Sequence, residues 1–456
     1  MTNSTFARAS ARALSARAAA SPTSRLPATK TANQHRGWNQ IAPMLLVLAF
    51  LLFNPLVMWV VPAAEWGAVT IYFFVIAVGG AVLYYSALRP VDPNFSPALF
   101  ALALLTKMLG CVGRYWMVYS LYDGASDAPF YHEQGQILTQ YFKVFDFSVI
   151  STYQARGDGT TMLCHVTGLL YTIMPVSAAG AFFFFAFLSF IGMVFCYRAV
   201  RIAWPNADTD NYILFIFFLP SILFWPSSLG KDAWILCWTG LAAWGWVVFT
   251  RRNNLFGLIW IVVALLLLQL VRPHIAAFLA LSMGAAYALY STRGQRSVFT
   301  WLVGLVVVGG LSYYMLLNGA SFLEIDELSV TAIEDRMVEQ QQRTTQGGSR
   351  YAAVSIFSPT GFVVGLVTAA IRPFPWEANS LPILLTSLET MAWLVLLWRQ
   401  RRACWQRLRS IRGDPMAGFA LFYALAMFLA LTSIGNFGII ARQRVMALPF
   451  FWMLFV

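Results

Sequence analysis
From residue 41 to the last residue, apolar stretches of membrane-crossing length alternate with short polar breaks. A helix needs about 20 mostly apolar residues to cross the hydrocarbon core of a bilayer. Such windows run over 41–61, 67–87, 96–119, 176–196, 212–229, 233–249, 255–271, 273–290, 299–317, 379–398, 416–433 and 440–456. Two further apolar segments, 160–175 and 359–373, are shorter and close on Pro175 and Pro373; the second also contains Gly361 and Gly365. Irregular backbone at membrane depth is tolerated only where protein or a water-filled cavity covers it. Both segments are therefore expected to enter and leave by one face. The pattern predicts an all-α fold: a polytopic transmembrane helix bundle of about 12 spans, two re-entrant segments, and two large hydrophilic loops on the outer face, 121–159 and 319–358.

Composition agrees with that pattern. At 59% hydrophobic and 11% charged, the chain lies far from the balance of a soluble domain. One integral membrane domain, 39–456, is expected behind a basic tail, 1–38. The tail holds Arg8, Arg12, Arg17, Arg25, Lys30 and Arg36, lacks acidic residues, and is rich in Ala, Ser and Thr, so it is expected to be disordered. A second basic group, Arg399, Arg401, Arg402, Arg407, Arg409 and Arg412, fills one short loop. Basic residues so placed mark cytoplasmic segments, as do the pairs Arg198/Arg201, Arg251/Arg252 and Arg293/Arg296. The net charge of +12 is then a topology signal and implies no nucleic-acid partner. The five cysteines lack metal-ligand spacing and read as small buried hydrophobes.

The remaining charges gather on the other side. Of 19 acidic residues, 11 lie in the two outer loops. Asp123, Asp127, His132 and Glu133 crowd the start of the first. A carboxylate at the rim of a poorly solvated cavity suits a general base, and the same oxygens suit a divalent cation, Mg or Mn. The residue types also suit an ordinary solvated turn. Lys231 and Asp232 follow a Pro- and Ser-rich break and open a helix, where backbone amides and an ammonium favour an anionic phosphate; a capped helix start reads equally well. Arg272, Arg372 with Glu377, and Arg442 with Arg444 stand at the rims of apolar segments. One such arginine anchors a helix, whereas several on one face resemble a clamp for phosphate. Lys107 and Glu389 lie inside spans and are expected to face the bundle interior. Acidic residues 324–339 are expected on a charged helix leading to a flexible loop, either a lid or a merely solvated segment.

These motifs carry a resemblance. The stretch from Asp127 to Tyr131, Asp-Ala-Pro-Phe-Tyr, resembles the Asp-Ala-x-x-Tyr pattern of the GT-C superfamily of polytopic glycosyltransferases. The run over 220–232 and the stretch Asn-Phe-Gly-Ile-Ile-Ala-Arg-Gln-Arg over 436–444 look like bacterial members of that group. As architecture the likeness begins near Ser96. Here the acidic loop follows the third span, whereas the family has it after the first. The resemblance implies an enzyme of the bacterial plasma membrane, N-terminus cytoplasmic, using a polyprenyl-phosphate-linked sugar and a glycan or lipid-linked acceptor. Asp127 would be the base, with Asp123 or Glu133 as alternatives. Lys231, Arg372 and an arginine of the final pair would neutralise the leaving phosphate. A polysaccharide polymerase or ligase, and a transporter or flippase of lipid-linked sugars, remain as competing readings.

Overall fold
In lipid a peptide group has no partner but another peptide group, so uninterrupted apolar runs close their hydrogen bonds internally as helices. A computed structural model describes residues 35–155, 157–290, 298–322, 330–345, 351 and 358–456. Among them are 20 α-helices and no β-strand. Five are long and apolar enough to cross a membrane: Arg36–Val60, Ala63–Leu88, Pro97–Leu121, Ala178–Ala203 and Lys231–Arg252. Shorter apolar helices are Phe256–Gln269, Pro273–Leu289, Leu302–Asn318, Pro359–Ile371 and Pro415–Leu431. Expectations for residues 1–34 of the tail, for Arg293 and Arg296, and for Glu324, Asp326 and Glu327 lie outside the described residues.

Burial separates the centre from the periphery. The apolar window of Lys231–Arg252 is 94% buried, that of Arg36–Val60 only 22%. The central helix packs against Ala178–Ala203 and Phe256–Gln269. The peripheral one turns Met44, Leu48, Leu51 and Trp59 outward, the side that lipid tails would cover.

Two expected spans are broken. The 212–229 stretch forms Asp210–Phe218 and Pro220–Phe224, because proline cannot donate into a continuing helix. The amide of Ser221 instead donates to Glu389 Oε2 at 2.8 Å, and the carbonyl of Ile222 accepts from Lys107 Nζ at 2.8 Å. Both ionisable groups thus face protein, where they satisfy a broken backbone. The 440–456 stretch forms Phe437–Arg444 and Leu448–Met453, with Pro449 in the first turn of the second piece.

The first hydrophilic loop contains helix Asp127–Lys143, packed on Asp158–Ile173. Both ends of Asp158–Ile173 meet one end of the bundle. Near its start, Thr160 accepts from Lys231 Nζ at the head of the central helix. At its other end, Tyr171 donates to the carbonyl of Ser177, whose hydroxyl reaches Glu65 at the start of Ala63–Leu88. In the second loop, helix Val330–Thr344 is tied to the C-terminal region by the Gly435 amide, which donates to Thr344 Oγ1 at 3.0 Å.

The opposite end carries a buried clasp. His35, fully covered, lies 2.9 Å from Asp92 and 2.5 Å from Asp210, with Arg201 3.2 Å from Asp92 and the Tyr197 hydroxyl donating to it at 2.6 Å. Burial alone would lower the pKa of His35, yet the two carboxylates raise it; burial would raise that of Asp92, yet His35 and Arg201 lower it. A raised imidazole stabilises the fold fully below its ordinary value of 6.5 and ceases to as pH climbs through the folded value. A lowered carboxyl contributes fully above its ordinary 3.8 and fails as pH falls through the folded value. The apparent Tm of purified protein is therefore expected to decline as pH rises beyond the imidazole range. That decline should flatten in His35→Gln; an equal slope in both proteins would show that the clasp does not contribute.

Candidate functional site
Charged side chains from the ends of five helices meet in one cavity of about 140 Å³. Its floor is the turn Ser228–Leu229–Gly230 and the start of the central helix, with Lys231 and Asp232. Arg272 comes from the tight connection between Phe256–Gln269 and Pro273–Leu289, and His274 from the first turn of the latter. Arg442 enters from helix Phe437–Arg444, and Asp127 and Tyr131 from the first turn and a half of Asp127–Lys143. Val118, Ile275, Ile439 and Met446 form apolar wall. Gly159 lets the start of helix Asp158–Ile173 come close: a Cβ there would collide with the backbone of Val271, beside Arg272.

Four cations and two carboxylates line this space: Arg114, Lys231, Arg272 and Arg442 against Asp127 and Asp232. Asp232, almost covered, is taken by Arg442, whose Nε lies 2.5 Å from Oδ2. Asp127 is exposed at the mouth and pairs with none of the cations. Three cations therefore face the cavity without a carboxylate of their own. Lys231 keeps only the Thr160 hydroxyl, at 3.0 Å. The Nε groups of Arg114 and Arg272 are buried with no hydrogen-bond partner. Burial also lowers the pKa of Arg272, against the pull of Asp232. Buried donors left unpaired are costly, and an anion occupying the cavity would relieve that cost.

Sequence reasoning missed Arg114. It stands seven residues after Lys107 in the same apolar helix, two turns on and on the same buried face. Its guanidinium lies over Phe224 at 5.5 Å and Trp225 at 5.1 Å, a stacked position that leaves its in-plane donors available. A second intramembrane cation in helical register with the first was the signal.

The cavity gathers Asp127, Lys231, Arg272 and Arg442 from the expected set, and the others lie elsewhere. Asp123 is exposed in a left-handed turn (φ 47°). His132 points away from the cavity: its Nδ1 pairs with the Tyr171 hydroxyl at 2.6 Å and its Nε2 with Gln136 at 2.9 Å. Burial holds this imidazole below its ordinary pKa, against the fields of Glu65 and the exposed Glu133. Arg372 and Glu377 bind each other, Nε to Oε1 at 2.9 Å, and Arg372 also lies over the stacked rings of Tyr351 and Phe437, 5.1 Å from each centroid. Arg444 is almost wholly covered and donates to the carbonyls of Ala370 and Arg372 and to the Thr390 hydroxyl. These donors support the neighbouring chain, and Arg444 is not among the residues that line the cavity. His165 packs near Val149 and Tyr153. Among the described residues, no three His, Cys, Asp or Glu side chains stand together as a metal site.

The arrangement can hold a compact anion against cationic donors while an exposed carboxylate waits at the entrance. Comparison with known protein families, curated proteins and solved structures finds no match.

Proposed function
We propose that the protein is a membrane glycosyltransferase of the GT-C type, which moves a sugar from a polyprenyl-phosphate donor to a glycan or lipid-linked acceptor. The observation that carries this reading is the surplus of cations over carboxylates in a cavity among the ends of apolar helices. A phosphate attached to a long apolar chain is the ligand that matches both features. The donor phosphate lies among Arg114, Lys231 and Arg272, and its isoprenoid follows the apolar wall toward the bilayer. Asp127 accepts the proton of an acceptor hydroxyl. That oxygen attacks the anomeric carbon, and the bond from this carbon to the phosphate oxygen breaks with its electron pair. The cations meet the charge that develops on the leaving phosphate. A single displacement of this kind inverts the anomeric centre.

In this reading the apolar segments make about 12 crossings, with Asp158–Ile173 and Pro359–Ile371 dipping in and out by one face. The tail and the 399–412 arginines lie in the cytoplasm of a bacterial cell, and the cavity opens on the far side of its plasma membrane. Mass analysis of lipid-linked and surface glycans, with and without the protein, tests it. Loss of one sugar supports transfer, and loss of long ladders alone points to a polymerase. Unchanged glycans, with uptake or scrambling of lipid-linked sugar by proteoliposomes, would end the proposal in favour of transport.

A further inference from the structure
The end of the bundle away from the cavity bears a short basic helix, Arg401–Arg409, that topology alone does not account for. It begins two residues after Leu381–Arg399 ends and is followed closely by Pro415–Leu431, so it lies where two apolar helices leave the bundle. Its inward side is anchored. Arg407 donates to the Val456 carbonyl at 3.2 Å, lies over Trp204 at 4.2 Å and approaches Asp414 at 3.9 Å. Asp414 is already engaged by Arg251 and by the Trp204 indole. The outward side is different: Arg401, Arg402, Arg409 and Arg412 are exposed and no carboxylate pairs with them among the described residues.

Two large aromatic rings share that outward side. Trp398 is 69% exposed and Trp405 56%. Arg401 stacks over Trp398 at 4.7 Å and Arg409 over Trp405 at 4.9 Å. Exposed indoles beside the ends of apolar helices suit the headgroup layer, which takes an apolar ring and a polar edge together. A guanidinium over an indole has one face covered; Arg401 donates one N–H to the Trp398 carbonyl at 2.9 Å, while Arg402 and Arg409 keep their N–H edge free of any carboxylate among the described residues. That edge binds phosphate oxygens in pairs. An amphipathic helix carrying arginines opposite an apolar side lies in the plane of the interface and is drawn to anionic lipid.

We infer that the outward side of Arg401–Arg409 is a binding surface for the phosphate headgroups of anionic membrane lipids in the leaflet at that end of the bundle. The charge complementarity and the stacked Trp–Arg pairs select this occupant over neutral lipid. An acidic protein segment would use the charges without needing exposed indoles. The inference is independent of the chemistry in the cavity.

The full chain in nanodiscs of phosphatidylcholine with graded phosphatidylglycerol tests this, with retained lipids counted by native mass spectrometry. Retention of phosphatidylglycerol is expected to exceed its share of the bilayer several-fold at low salt and to fall as salt shortens the reach of the charges. The triple variant R401Q/R402Q/R409Q should bring retention down to the bulk ratio. Should that variant fail to fold in phosphatidylcholine discs, R402Q alone, which removes an exposed side chain, should lower retention measurably. Enrichment that persists in both variants, or that disappears only when residues 1–34 are deleted, would overturn the inference. So would equal retention of both lipids by the unaltered protein.

Discussion

Asp127→Asn is expected to reduce sugar transfer by about 10²–10⁴-fold, the usual contribution of a positioned general base. The substitution isolates the chemistry well. Asp127 is the exposed first residue of helix Asp127–Lys143 and makes no ion pair within the cavity, so no packing or salt bridge depends on its charge. Asparagine keeps its shape and suits a helix start. The three unpaired cations remain, so the donor phosphate should bind as before. The loss should therefore fall on kcat, with the KM for the polyprenyl-phosphate sugar nearly unchanged. Asp123→Asn serves as the control, because Asp123 lies outside the cavity. An Asp127→Asn enzyme that keeps its kcat in reconstituted membranes would remove Asp127 from the mechanism and leave the cavity as a binding site only.

Gly240→Val is expected to prevent stable folding, at a cost of about 3 kcal/mol or more. Gly240 on the central helix faces Gly192 on Ala178–Ala203, and a Cβ at either position would strike the backbone of the other helix. Small residues let helix backbones approach closely inside membranes, where contact and not water exclusion holds helices together. The obstacle here is backbone, which cannot rotate aside as a side chain can. Separating the two helices would also disturb the turn at Ser228–Gly230 and Lys231, which the central helix carries to the cavity. The readouts are the yield of monodisperse protein in mild detergent and its apparent Tm. Wild-type behaviour of Gly240→Val would mean that the two helices are not in close contact at this point.

Much of the cavity was legible because charges at the rims of apolar segments have few places to go. Lys231, Arg272 and Arg442 sit at such rims, Asp127 lies in the hydrophilic loop that follows the third span, and a shared cavity gathers them. The last arginine pair could not be divided by reading alone. Arg442 and Arg444 are two residues apart, and two helical steps turn the side chain through about 200°. One therefore reaches Asp232 and the cavity, and the other is enclosed against Ala370, Arg372 and Thr390. Arg372 and Glu377 were harder still, since nothing in their spacing says whether they bind a ligand or each other. Hydropathy averages over breaks, so it ran straight through Pro220. What marks that break is the remote pair Lys107 and Glu389, which serves the backbone groups the break leaves open. The helix over 330–344 could be read from its charge pattern, whereas its tie to Gly435 could not, being a contact between distant parts of the chain.

The shallow embedding of the first two helices bears on how this protein can change over time. Along Arg36–Val60, residues such as Met44, Leu48 and Leu51 meet no shaped neighbour, so selection there can act on oiliness alone and one bulky residue can replace another. Along the apolar part of Lys231–Arg252 nearly every side chain is buried among neighbours. Sequences of common descent should therefore diverge early in the opening hairpin while its start stays constant, because His35 is what moors it.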